Sequence, residues 1–157
     1  MTRLRGRAPR GERAYDSAPA GHWCATTMIG SIRLDGTSTC MTIDGATDTD
    51  VFQTYVQHFL VPTLKPGDLV ILDNLPAHKN IGTLNLIVQA GALVRFLPAY
   101  SPDLNPIEKM WSKVKEFLRA AKARTKEALW DAIASAFASV TAADAIGWFA
   151  SCGYSIN

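Results

Sequence analysis

Cysteine is scarce and odd in number: Cys24, Cys40 and Cys152 are the only three among 157 residues. They show neither the close spacing of a metal-binding motif nor the even count of a disulfide framework. A reducing compartment, the cytoplasm, is the expected setting. Long apolar runs are also missing. No stretch approaches the roughly 18 residues that would cross a bilayer. The basic N-terminus has no apolar segment behind it to form a secretory signal, so no membrane partner is expected. Internal repeats and low-complexity linkers are absent as well. What remains, 48% apolar and 19% charged residues, has the ordinary make-up of one globular domain with a single core.

The net charge of +2 conceals an uneven distribution. Residues 1–13 carry Arg3, Arg5, Arg7, Arg10 and Arg13 against Glu12 alone, so the remainder of the chain is slightly acidic. This separates a basic arm, residues 1–20, from a domain over residues 21–157. A second basic cluster holds Lys109, Lys113, Lys115, Arg119, Lys122, Arg124 and Lys126, opposed only by Glu116. Such blocks suit the phosphates of nucleic acid. The plainer alternative is a solvated helix face and a loose basic tail.

Residues 22–34 are rich in strand formers, and Asp35-Gly36 signals a hairpin with a return strand over 37–43. Helical spacing of Val51, Phe52, Tyr55, Val56, Phe59 and Leu60 predicts a helix closed by Pro62 and Pro66-Gly67. The apolar run Leu69 to Leu72 suits a buried strand. A helix over about 81–90, a strand over 92–97 and a long helix from Pro106 to about Ala123 follow. Two more helices are expected over 125–140 and 141–152, with Gly153 beyond the last. Two strands joined by a helix imply a parallel pair. Together with the hairpin they predict an α/β domain: one mixed sheet flanked by helices.

Two acids stand out. Asp73 ends the first buried strand, the place where ligands gather in α/β sheets; a turn-forming Asp is the plain alternative. Glu108 opens the long helix, where Asn105, Pro106 and Glu108 also fit a capping box. Parallel neighbouring strands would bring both acids to one sheet edge. Paired carboxylates suit Mg²⁺ or Mn²⁺, and two such ions serve phosphoryl transfer. Asn74 and His78 are placed to orient a phosphate or a water, with Asn105 as a further supporting residue. Lys115, Arg119, Lys122 and Lys126 recur at helical spacing away from the apolar stripe, giving a basic track for a DNA backbone.

The words LVILDNLPAHKN and LVRFLPAYSPDLNPIEKMWSKVK resemble the DDE-type transposases of the insertion sequence 630 and mariner superfamily. The 34 residues between Asp73 and Glu108 match that group's spacing. The RGRAPRGERAY arm, Trp111, Lys115 and the closing WFASCGY also match, so the likeness covers nearly the whole chain. The resemblance implies an RNase H-like fold with three acids on two divalent ions. It also implies cleavage and joining of double-stranded DNA at element ends, in the bacterial cytoplasm at the nucleoid. Asp73 matches the second acid and Glu108 the third. The strand bearing the first acid normally precedes the RG-rich segment, so the first strand is expected to be missing, along with the helix-turn-helix that reads element ends. Asp35 and Asp44 fall on turns and do not match. The chain alone is therefore expected to hold metal poorly and to be inactive, with an upstream transposase product or a second protomer as partner. A non-catalytic DNA-binding remnant or regulator, or a different RNase H-like nuclease, are the rival readings.

Overall fold

In the computed structural model, residues 7–15 and 25–155 are described. Strand β1 (Thr26–Ile32) pairs antiparallel with β2 (Ser38–Asp44). Asp35 Oδ1 accepts the Thr37 N–H at 2.8 Å and Gly36 adopts φ +88°, so the Asp-Gly turn forms as the sequence predicts. Asp48 caps α1 (Thr49–Tyr55) by accepting from Val51 N. The helix then widens into a π-helical turn over 56–60 and a short 3₁₀ turn over 61–63. Pro62 lies inside that last turn, and the chain becomes extended at Leu64.

Strands β3 (Leu69–Leu72) and β4 (Leu93–Phe96) are parallel, joined by α2 (Ile81–Gln89). Three further helices follow: α3 (Pro106–Ala121), α4 (Lys126–Ala138) and α5 (Ala142–Ser151). No single described helix is long and apolar enough to cross a membrane; α4 and α5 pass that test only together and are bent 74° apart.

One expectation fails in form. The four strands make two separate two-stranded ladders, not one mixed sheet. A cavity of about 860 Å³ is bordered by both β1 and β3. Two apolar clusters form the core, one on each side of this division. Phe52, Tyr55, Val56, Leu60, Leu72, Ile87 and Ala92 pack α1 and α2 beneath β3. Met110, Val114 and Leu118 of α3 pack against Ala132, Ile133 and Ala136 of α4. The hairpin is held to both clusters. Tyr55 Oη lies 2.7 Å from Thr39 Oγ1. Gly30 lets the Trp111 ring approach, since a Cβ there would sit 3.1 Å from the ring and 2.7 Å from Thr39 O.

Polar ties set the spacing between elements. Arg33 at the end of the hairpin's first strand grips Asp68 bidentately at 2.6 and 2.9 Å, the fork geometry that favours Arg–carboxylate pairs. Lys113 of α3 reaches Asp144 at 2.6 Å and Ser139 O at 2.8 Å. The arginine hydrogen bonds, with the Lys65 N–H, hold the Asp68 carboxyl down at about 2. Lys113, followed by the Thr141 N–H and hydroxyl, does the same for Asp144, also at about 2. Both groups lie below their ordinary values when folded. Their contribution is therefore complete above roughly pH 5 and is lost as pH falls towards 2. Denaturant unfolding followed across that window should show stability dropping with acid, and Asp68→Asn should flatten the drop. An unchanged acid slope in that variant would contradict the role given to Asp68.

Helix caps divide sharply. Thr141 and Asp144 form a reciprocal capping box on α5. Asn105 makes no side-chain cap bond to α3, so the capping box foreseen around Glu108 does not form. Thr141→Ala should therefore cost about 1 kcal/mol of stability, while Glu108→Gln should change it by less than about 0.5 kcal/mol. Thermal unfolding of the two variants side by side checks this ordering.

Candidate active site at the end of the parallel pair

The end of β3 is fixed from both sides. Leu97 N donates to Leu72 O at 2.8 Å, and Asn74 Nδ2 donates to Leu97 O at 2.8 Å. Asp73 lies between these anchors, so its backbone position is set by the ladder. Asn74 is thereby engaged in holding β3 to β4, which leaves that amide nitrogen committed to structure. The Asp73 side chain is 40% exposed. Its Oδ1 accepts the Leu75 N–H at 3.2 Å, the turn-forming role expected of a strand-end Asp. Only Oδ1 of this carboxylate has a contact of its own among the described residues.

The turn over Pro76–Lys79 folds His78 back towards Asp73. Its ring lies 4.1 Å from that of Phe52, and Nδ1 comes within 2.5 Å of Asp73 Oδ1. The approach lacks hydrogen-bond geometry, so this buried nitrogen has no hydrogen-bond partner. A buried polar atom left without a hydrogen bond costs free energy, and His78 holds that position beside Asp73.

Glu108 stands on the first turn of α3 with an exposed side chain. Its carboxylate has no ion pair or hydrogen bond among the described residues, because the predicted cap is absent. It borders the same cavity as Asp73, His78, Asn105 and Trp111. Residues 108, 112, 115 and 119 recur along one face of α3. The acid and the cations Lys115 and Arg119 therefore share a side of the helix, opposite the buried Met110, Val114 and Leu118.

Other predicted residues separate. Lys109 and Arg119 are exposed and Lys115 half-buried. Lys113 is tied to Asp144 at 2.6 Å. Lys122 takes the left-handed conformation that ends α3, φ 48°. In the arm, Arg7, Arg10 and Arg13 are exposed, while Arg3 and Arg5 lie outside the described residues. Asp35 is occupied by its turn and Asp44 pairs with Lys126 at 2.6 Å, which agrees with leaving both out of the acid pair. The sequence reading missed Arg33 and Asp68, the clamp across the cavity's other end. Their 35-residue separation gives no local signal.

As metal ligands, Asp73 and Glu108 fit in kind: both are hard oxygen donors, suited to Mg²⁺ or Mn²⁺. They do not fit in number. Among the described residues no group of three His, Cys, Asp or Glu side chains could hold an ion.

A search of curated proteins finds no match. Residues 1–130 match the family model of the DDE superfamily endonuclease, a span that includes both acids, the parallel pair and all of α3. By this match over most of its length, the chain belongs to the DDE superfamily of endonucleases.

Proposed function

We propose that this chain supplies Asp73 and Glu108 to a metal-dependent centre that cuts double-stranded DNA at insertion-sequence ends and transfers the freed strand. We place it in the insertion sequence 630 and mariner group, with an RNase H-like arrangement of strands. The carrying observation is that an anchored Asp73 and an uncommitted Glu108 border one cavity. The 34 residues between them support the same group.

In a complete donor set to which Asp73 and Glu108 contribute, divalent ions would lower the pKa of water and neutralise charge building on a phosphate. The chain's own residues divide the remaining work. The ladder bonds at Leu72 and Leu97 keep Asp73 from moving as charge develops. His78, packed on Phe52, offers Nδ1 beside that carboxylate and restricts its rotation. Lys115 and Arg119, one and two further turns along from Ser112, hold the sugar-phosphate backbone so that a phosphodiester meets the acids at the helix start. Among the described residues no third acid, His or Cys joins Asp73 and Glu108 in a group that could hold an ion.

Cleavage of element-end DNA in Mn²⁺ by protein containing this domain should fall by about 10²–10³-fold in Asp73→Asn or Glu108→Gln, with an unchanged circular dichroism spectrum. Cleavage that survives either substitution, with contaminating nuclease excluded, would contradict the role given to the two acids.

DNA affinity gives an independent check. Binding should be weak, little dependent on sequence, and steeply dependent on salt. Replacing Lys115 and Arg119 with Gln should reduce the slope of log affinity against log salt by about 0.9 for each phosphate no longer neutralised. An unaltered slope would mean that this face of α3 meets solvent only.

A further inference from the structure

Helix α5 ends on a turn that aims one side chain at the start of α3. Gly153 takes φ +86° just past the helix end, in the left-handed region that glycine enters without steric cost. Around it, Tyr154 N donates to Phe149 O at 3.1 Å and Gly153 N to Ala150 O at 3.0 Å. Such a pair of backbone bonds closes many helices, and it is often joined by an apolar contact from the residue after the glycine back to the last turn. Here that contact is the Tyr154 ring, set edge-on to Phe149 with centroids 5.6 Å apart. Two backbone bonds and one ring contact thus fix where the tyrosine points.

Its hydroxyl donates to Leu104 O at 2.9 Å. Leu104 closes the 3₁₀ turn over 102–104, and Asn105 and Pro106 lead from it to Glu108. Four of the five described α-helices begin on a side-chain cap, from Asp48, Asn80, Thr125 and Thr141. Helix α3 does not. Its start is held from outside instead. The first turn of α5 is also tied to α3, through Asp144 and Lys113. Helix α5 therefore runs antiparallel to the first turns of α3, bonded to the chain once before Glu108 and once after it. Phe149 and Tyr154 line the same cavity as Glu108. Burial, and to a smaller degree Cys152, raises the Tyr154 pKa above its ordinary value, so the hydroxyl remains a donor at neutral pH.

We propose that Tyr154 is a positioning residue for Glu108: its hydroxyl pins the uncapped turn ahead of α3 and so fixes where the Glu108 carboxylate stands at the cavity. The consequence for cleavage rests on the function proposed above; the pinning does not. Glu108 carries the chemistry in this arrangement, and α5 carries its placement. Small displacements of a reacting group are enough to slow a reaction steeply.

Tyr154→Phe removes the hydroxyl and keeps the ring on Phe149, so α5 should still fold. Amide hydrogen exchange of the full chain, read by NMR without metal or DNA, should quicken about two- to tenfold at Asn105 and Glu108, as expected for one lost hydrogen bond. Exchange at Ile87 and Val114, in the two core clusters, should not change. In protein containing this domain, kcat for Mn²⁺-dependent cleavage of element-end DNA should fall by about tenfold with KM for DNA unaltered. Thr141→Ala weakens α5 at its far end without touching Leu104, and should lower stability while leaving kcat as it was. Unchanged exchange at Asn105 and Glu108 in Tyr154→Phe overturns the pinning. Faster exchange with an unchanged kcat, where Glu108→Gln is inactive, overturns the positioning role and leaves the proposed function standing. An equal fall in kcat for Thr141→Ala overturns it too, since general loosening of α5 would then account for the effect. Cleavage that survives Glu108→Gln places the fault in the proposed function, and the exchange measurement then decides the pinning by itself.

Discussion

The Arg33–Asp68 pair spans the one place where the fold is divided. It joins the hairpin to the parallel pair at one end of the cavity, with both guanidinium nitrogens on one carboxylate. At the other end the hairpin rests on α3 through Gly30 and Trp111. These two supports hold the hairpin against the parallel pair and against α3. Breaking a fork-like pair of this kind leaves a charge without its partner, which is more damaging than never having built the pair.

A second consequence follows from where hydrogen bonds are spent. Asn74, Lys113, Asp35 and Asp44 all look available in the sequence, yet each is committed to a strand end, an interhelical tie, a turn or an ion pair. Glu108 is the reverse. The sequence offers it an ordinary capping role, and the structure leaves that role unfilled. His78 Nδ1 is buried, 2.5 Å from Asp73 Oδ1 and without a hydrogen bond. Asp73, Glu108 and His78 all border one cavity.

Much of the fold was legible because its signals are local. Asp35-Gly36 gave the hairpin, the spacing from Val51 to Leu60 gave α1, and the βαβ order from Leu69 to Phe96 gave the parallel pair. The positions of Asp73 just past a strand end and of Glu108 at a helix start were legible. The division of the sheet was not, since whether two ladders touch depends on what lies between them and leaves no periodicity in either strand. Nor was the engagement of Lys113, whose partner Asp144 lies 31 residues away. Helical spacing places a cation on a face but does not show which element packs against that face.

The central claim is that Asp73 and Glu108 act on one ion. Titrating Mn²⁺ into the isotopically labelled chain and following paramagnetic broadening of its amide signals tests this directly. The account predicts broadening that begins together around Asp73, His78 and Glu108, with a single weak affinity, and that disappears from all three in either Asp73→Asn or Glu108→Gln. Broadening confined to one acid and surviving loss of the other, or centred elsewhere on the chain, would contradict it.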